Sequence, residues 1–316
     1  MIRKDDFCKK YNISDKSFKE ANIEWTELEN ICNDYVQHRP TLEINLNFLA
    51  ESLRTALKVH SIKVRLKDPE HLIEKIIRHK REKPSIKINV NNYRSIITDL
   101  VGVRALHLFK EDWLDIHNYI INSWELKSKV VANVREGDPQ TLIDLFRRKN
   151  CVVKKHPFGY RSVHYIIASK PHKEDVIAEI QVRTIFEEGW SEIDHLIRYP
   201  YVHDNPILEQ FLVMFNRLAG SADEMGSFVK FLSSTLKIKE EEFRQGIANK
   251  SKRIEELKKK MGDLKIKPTQ RVALTSGLIK LYKSEEKSRR DSILNRMMAA
   301  EMVGDAFRKK MGKTKS

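Results

Sequence analysis

The sequence predicts an α/β (α+β) fold: a mixed β-sheet flanked by helices, with helices before it and a helical region after it. Three observations predict this. Strand-like and helix-like segments intermix between about residues 61 and 200 without strict alternation, which favours a mixed sheet over a purely parallel one. The run AEIQVRT (178–184) alternates with period 2, as a strand does, sending Glu179, Gln181 and Arg183 to one face and Ile180 and Val182 to the other. Beyond Tyr199-Pro200 and Asn205-Pro206, the apolar residues recur almost entirely at helical spacing.

Taken in order, residues 14–37 read as a helix that Ser14 can cap, with Phe18, Ala21, Trp25, Leu28, Ile31, Cys32 and Tyr35 at helical spacing. Arg39-Pro40-Thr41 is expected to break it. Thr41 then starts a second helix carrying Leu46, Leu49, Ala50, Leu53 and Leu57. Ser61–Leu66 is a short strand, Pro69 opens a helix to about Arg81, and Leu100–Phe109 is a strand. Asp112–Leu126 reads as helix and Lys129–Arg135 as strand, whereas residues 140–150 fit either period. Strands follow near 151–156, 163–169 and 176–184, then a helix from Ile185 to about Arg198.

These elements divide the chain into an N-terminal helical segment (1–60), a central domain (61–200) and a basic helical region (206–316). In the last, Leu208, Phe211, Leu212, Phe215, Leu218 and Ala222 form one apolar stripe, and Met297, Met298, Met302 and Phe307 line a final helix. That final helix reads as core or as an oligomer seam.

Composition narrows the function classes. The net charge is +15, with 33% charged residues, which points to an anionic partner: nucleotide phosphates, RNA or an acidic protein. A generally lysine-rich composition is the bland alternative. From residue 206 onward there are 25 basic and 14 acidic residues, so the tail carries much of the excess. Cys8, Cys32 and Cys151 are odd in number and far apart, which argues against a disulfide scaffold and a cysteine zinc site. With no apolar signal core and no membrane-length stretch, a cytoplasmic protein without a membrane partner is expected.

Three motifs carry chemistry. On the 178–184 strand, a carboxylate, an amide and a guanidinium on one face suit Mg²⁺, a base and a phosphate, though a merely solvated face could look the same. In Asp99-Leu100-Val101-Gly102-Val103-Arg104, a carboxylate stands at a strand entrance and Gly102 allows close approach to the backbone. Arg104 sits mid-strand, where an ion pair with Asp99 or Glu179 is the structural alternative to a ligand role. In Gly159-Tyr160-Arg161-Ser162-Val163-His164, a turn feeds a strand, and Tyr160, Ser162 and His164 share one face. Singly, Tyr160 reads as a half-buried core aromatic and His164 as a hydrogen-bonded core histidine.

Together and in order, these motifs resemble the (p)ppGpp synthetase domain of the RelA/SpoT proteins, in its single-function, small alarmone synthetase-like form. The resemblance runs from about 45 to 200. It includes Arg65-Leu66-Lys67, Lys75/Arg78/His79, Asp99 to Arg104, Gly159 to His164, Glu179 to Thr184, and Trp190 with Asp194-His195. It implies a nucleotidyltransferase-like sheet and an ATP-dependent pyrophosphokinase. Such an enzyme transfers the β,γ-pyrophosphate of ATP to the ribose 3′-hydroxyl of GDP or GTP, making the stringent-response alarmone.

Under this resemblance Asp99 and Glu179 would be catalytic and hold Mg²⁺, which takes hard oxygen ligands. Glu179 could also accept the hydroxyl proton. His71, Lys75 and Arg78 share a helix face that ends at Glu82. With Arg65, Lys67 and Arg104, Lys75 and Arg78 would grip the ATP triphosphate, a solvated basic face being the alternative. Tyr160 would stack on the acceptor base, and His164, Gln181 and His195 would line its pocket. Arg183 is expected to brace the fold or phosphates, and Trp190 to be core.

Two positions depart from the family pattern: His71 stands where Ser is usual, and Asp194 where Glu is usual. His203-Asp204 alone does not make the His-Asp metal site of alarmone hydrolases. The basic segment Arg147–His156 and the basic tail keep a second acceptor open, the 3′ end of tRNA. They also keep open a ribosome contact, an antitoxin and a homo-oligomer as partners. A non-enzymatic nucleotide- or partner-binding module is the third reading.

Overall fold

The computed structural model describes residues 3–171, 173–198, 205–262, 267–270, 272–277, 279–284, 287, 290 and 291. Two compact units divide the chain, Met1–Leu232 and Ser233–Ser316.

The first unit opens with helices α1 (Lys4–Lys10), α2 (Asp15–Ala21) and α3 (Trp25–Arg54). Ser14 caps α2, its hydroxyl accepting from Ser17 N–H at 3.1 Å. The single helix expected over 14–37 does not form. Asn22 takes the left-handed conformation (φ 46°) and ends α2, a role that Asn tolerates better than most residues.

The break expected at Arg39-Pro40-Thr41 is also absent, because α3 runs straight through Pro40. An interior proline costs about 3 kcal/mol. Leu28, Ile31 and Tyr35 before it and Leu42, Leu46, Leu49 and Leu53 after it are all buried in one core. Each such side chain contributes about 1.5–3 kcal/mol, so packing outweighs the local break.

The domain continues with β1 (Ser61–Leu66), α4 (Pro69–Glu82), α5 (Tyr93–Ile96) and β2 (Val101–His107). A 3₁₀ turn (Lys110–Asp112) leads into α6 (Trp113–Ser123), β3 (Glu125–Leu126), β4 (Val131–Val134) and α7 (Gln140–Arg148). Then come β5 (Val152–Lys155), β6 (Ser162–Ser169), β7 (Val176–Thr184), α8 (Ile185–Arg198) and α9 (Pro206–Gly262). Asp68 caps α4, accepting from Glu70 N–H at 2.9 Å, with Pro69 in the first turn. The helix expected to reach Leu126 ends at Ser123, because Glu125 and Leu126 pair with Ala168 and Ile167 of β6. The ambiguous 140–150 segment is α7, whose buried Phe146 meets Trp113 edge-on at 4.7 Å between ring centroids.

The seven strands form one mixed sheet in the order β1-β2-β7-β6-β4-β5, with β3 on β6. Pairs β2/β7 and β4/β5 are parallel and the rest antiparallel. The expected mixed sheet with flanking helices is therefore present. α3 packs on β1 and β2, and α6 on β7, covering the face that carries Val103, Ile180, Val182 and Tyr165. The other face holds two rows fixed by register: Arg65, Gly102, Glu179 and Ile166, then Lys63, Arg104, Gln181 and His164.

Trp190 of α8 is core, as expected; its indole N–H donates to Leu212 O at 3.1 Å. The single apolar stripe expected along 208–222 splits across two faces of α9. Leu212 is buried on the same side as Asn216, Ala219 and Asp223, whereas Phe211 and Leu218 are exposed. The segment is apolar almost all round, so spacing alone does not say which side docks.

In the second unit, α9 continues from Ser233 as a charged helix with Arg244–Glu240 and Lys239–Glu242 pairs. Residues 268–270, 272–277 and 279–284 are helical, and the Tyr282 hydroxyl lies 3.4 Å from that of Ser251. Met297, Met298, Met302, Phe307, His203 and Asp204 lie outside the described residues. Among the described residues no helix is long and apolar enough to cross a membrane.

Candidate active site

The opposite face of the sheet, where α8 packs on β2 and β7, forms a cleft of about 270 Å³, lined by Arg65, Asp99, Gly102, Arg104, Glu179, Gln181 and His195 among others. Strand register does most of the assembly. Gly102 stands between Arg65 and Glu179, so no side chain fills the floor there.

Asp99 precedes β2 and lies between two lysines. Lys67 Nζ is 2.8 Å and Lys75 Nζ 2.9 Å from the same oxygen, Oδ2. Burial pushes this carboxyl up, but the two ammonium groups overcome it and hold it at about 2. Its other oxygen, Oδ1, is buried without a hydrogen-bond partner. Burial pushes Lys67 below its ordinary value, and Asp99 only partly offsets that.

Glu179 is supported differently. His164 Nδ1 lies 2.9 Å from Oε1, and Gln181 donates its amide N–H to Oε2 at 2.9 Å. Burial raises this carboxyl too, and the bonds from His164 and Gln181 outweigh it, leaving a net downward shift. His164 Nε2 in turn lies 3.1 Å from the Tyr160 hydroxyl. The Tyr160 ring lies under the Arg183 guanidinium at 5.5 Å and beside His156 at 5.3 Å. Arg183 is buried, pairs with Glu188 at 2.7 Å and donates to Ser191 Oγ at 2.8 Å, bracing β7 against α8.

The cations do not all converge. Arg104 pairs with neither Asp99 nor Glu179; its guanidinium meets Glu188 at 3.0 Å and also Glu192. Lys63 joins both carboxylates, at 3.1 and 3.0 Å. These contacts, Lys63 first, override the effect of burial and hold Glu192 at about 2. Arg78 is half-exposed and bonds to Glu74 on its own helix at 3.0 Å; it does not line the cleft, and Lys67, Lys75, Tyr160 and His164 stand behind the lining, reaching it through Asp99 and Glu179. His71, at a position that departs from the family pattern, packs edge-on against Tyr11. Asp194, the other departure, accepts from Arg198 at 2.7 Å.

Sequence reasoning missed Glu188 and Glu192, although their spacing with His195 (i, i+4, i+7) places all three on one face of α8. It also missed the clamp on the loop before Tyr160. Gly159 has φ 75°, a conformation suited to glycine, and its carbonyl accepts from Asn216 Nδ2 of α9 at 3.1 Å. Arg135 donates to Asn216 Oδ1 at 3.3 Å. Gly220 lets α9 come this close, since a Cβ there would lie 2.7 Å from Arg135 and 2.9 Å from Arg161 nitrogens. These contacts are long-range, and no local pattern announces them.

No group of three or more His, Cys, Asp or Glu side chains arranged to hold a metal occurs among the described residues. A divalent ion of the Mg²⁺ type is nonetheless compatible with this donor set. Mg²⁺ commonly takes only one or two protein carboxylates beside phosphate oxygens, and the orphaned, buried Asp99 Oδ1 is a hard donor of that kind.

Comparison with known proteins agrees with the motifs. Residues 64–204 match the model of a region found in RelA / SpoT proteins. The chain is 27% identical over 152 residues to GTP pyrophosphokinase YwaC of Bacillus subtilis (strain 168), an overlap of 47% of this chain and 62% of that protein. The chain thus spans less than two thirds of this relative's length. Among solved structures, small alarmone synthetase 1 from Bacillus subtilis is 20% identical, with 66% of this chain and 97% of that one covered and a TM-score of 0.43. A GTP pyrophosphokinase family protein from Streptococcus pneumoniae is also 20% identical, covering 66% and 95%, with a TM-score of 0.43. The similarity to a region found in RelA / SpoT proteins is thus confined to residues 64–204, which hold most of the sheet and of its cleft.

Proposed function

We propose that this chain is an ATP-dependent pyrophosphokinase that transfers the β,γ-pyrophosphate of ATP to the ribose 3′-hydroxyl of GDP or GTP. The observation that carries the reading is the pair of unlike carboxylates in one cleft. Asp99 is ionised between two lysines, and Glu179 is ionised on a histidine. The relative's name, GTP pyrophosphokinase, supports the same chemistry.

In this reading Glu179 accepts the proton of the 3′-hydroxyl as the oxygen attacks the β-phosphorus. A bond forms from the 3′-oxygen to that phosphorus, the bond to the α-phosphate oxygen breaks, and AMP leaves. His164, held by Tyr160, fixes the orientation of Glu179. Lys67, Lys75, Arg65 and Arg104 meet the charge of the triphosphate, which is where most of such catalysis resides. Asp99 and Glu179 would hold Mg²⁺, which when bound neutralises charge on the transferred phosphates. Tyr160, Gln181 and His195 receive the acceptor base and ribose.

A second reading, transfer to the 3′ end of tRNA, is favoured by one observation. Arg147, Arg148, Lys154 and Lys155 are exposed on the segment leading to His156 and the Tyr160 loop. The test is incubation with Mg²⁺ and γ-labelled ATP, offering GDP, GTP and bulk tRNA in parallel. Label in a new guanosine nucleotide supports the first reading. Label in tRNA alone supports the second, and no labelled product with any acceptor overturns both.

A further inference from the structure

We propose that Glu192 is a displaceable anion in the cleft. It occupies Lys63 and Arg104 in the free protein and yields them to the phosphate chain of the donor nucleotide, so its charge sets the affinity of the site for that chain. This role rests on the reading of the cleft as an ATP site. Register places Lys63 of β1 directly beside Arg104 of β2, and both line the cleft together with Glu192. Two carboxylates of α8 reach them. Glu188 Oε1 lies 3.1 Å from Lys63 Nζ and 3.0 Å from Arg104 Nη1. Glu192 Oε2 lies 3.0 Å from the same lysine nitrogen, and its Oε1 accepts from the same arginine nitrogen.

The two carboxylates share these partners but differ in their surroundings. The Glu188 side chain is 9% exposed, holds the buried Arg183 at 2.7 Å as well and stands outside the cleft lining. It supplies the counterion that a partly buried Arg104 requires. The Glu192 side chain is 45% exposed and lines the cleft. Ion pairs of that exposure contribute little to stability, so the fold does not depend on this one and moving it costs little. A phosphate chain offers the same guanidinium and ammonium more negative charge and more acceptor oxygens than one carboxylate does. The charge balance agrees. Lys63, Arg104 and Arg183 share Glu188 and Glu192. Once Glu192 swings out they share Glu188 alone, and an incoming phosphate meets the surplus of positive charge. Burial acts upward on the Glu192 carboxyl, but Lys63 and Arg104 prevail and keep it ionised. The competition therefore persists at neutral pH, and an anion entering this part of the cleft has to displace a negative charge.

Calorimetric titration of the full chain, with Mg²⁺ and an ATP analogue whose α–β bridging oxygen is replaced by methylene, tests this. Glu192→Gln keeps the size of the side chain and removes its charge. The expected result is a dissociation constant lower by about fivefold or more, the worth of one exposed ion pair that no longer competes. Adenosine, which has no phosphate chain, should gain nothing. A Glu192 that merely props Arg104 for the ligand predicts the opposite sign, because its loss would weaken binding. Analogue binding that is unchanged or weaker in Glu192→Gln overturns the role of Glu192 and leaves the ATP reading standing, as does an equal gain for adenosine. An analogue that binds neither protein overturns the ATP reading and this role with it.

Discussion

The Glu179 carboxylate and the His164 imidazole, from adjacent antiparallel strands, lie 2.9 Å apart, and this contact helps keep a largely buried acid ionised. Burial is the largest influence on Glu179 and acts upward, while His164 and Gln181 act downward and prevail. A base is useful only above its own pKa, so the histidine extends activity toward acid. Removing it by His164→Ala leaves burial unopposed by its bond, and the acid limb of the kcat profile should move to higher pH. Glu179→Gln should lower kcat by about 10²–10⁴-fold with the fold intact by circular dichroism. An unmoved acid limb in His164→Ala would remove Glu179 from the role of base.

Tyr160 has two separable parts, a ring and a hydroxyl. The hydroxyl serves His164, and the ring lies between Arg183 and His156. If the ring stacks on the acceptor base, Tyr160→Phe keeps that affinity and loses only the hold on His164, so kcat falls and acceptor KM stays. Tyr160→Ala should raise acceptor KM by about 10–100-fold, the worth of one stacked base. Equal KM for Phe and Ala variants would show that the ring does not touch the base.

How far the sequence reveals this site depends on how local each feature is. Glu179, Gln181 and Arg183 are visible as a period-2 row because a strand writes its faces into its sequence. Asp99 and Lys67 are visible only as motif members, since their contact spans 32 positions and is made by strand pairing. Pro40 misleads, because tertiary burial on either side of it outweighs a local rule. The stripe on α9 misleads differently: both faces are apolar, so periodicity detects the helix but not the side that docks. Arg104 shows the same limit, since its partners Glu188 and Glu192 come from a helix that folds back over the sheet.

The Asn216 clamp gives a prediction about positioning. Asn216 is nearly buried and holds the Gly159 carbonyl at 3.1 Å while receiving Arg135. Asn216→Ala leaves these groups unsatisfied, at a cost of about 1–3 kcal/mol. Acceptor KM should rise about tenfold, since about 1.4 kcal/mol is one decade, while ATP KM stays unchanged. Gly159→Ala should act the same way, because φ is 75° and the new Cβ would sit 3.0 Å from Asn216 Oδ1. A parallel rise in ATP KM would mean general loosening instead.

The last prediction concerns stability. Glu187 is pushed up to about 7, first by burial and then by Asp223, with Arg161 opposing at 3.8 Å. Asp223 is raised as well, again chiefly by burial, and Lys110 and Arg161 lower it only in part. Thr184 ties the two acids together, its N–H donating to Glu187 at 3.2 Å and its hydroxyl to Asp223 at 3.0 Å. An acid whose folded pKa lies above its unfolded value of about 4.3 binds its proton more tightly when folded. Its contribution is therefore fully present below about pH 4.3 and is lost as pH rises toward about 7. Denaturant unfolding should show stability falling across that window. Glu187→Gln keeps an acceptor for the Thr184 N–H and cannot ionise, so it should flatten the slope and gain up to about 4 kcal/mol at pH 8, the worth of a shift from about 4.3 to about 7. An unchanged slope in Glu187→Gln would place the proton elsewhere, and the same measurement on Asp223→Asn would then show whether the second acid of the pair carries it.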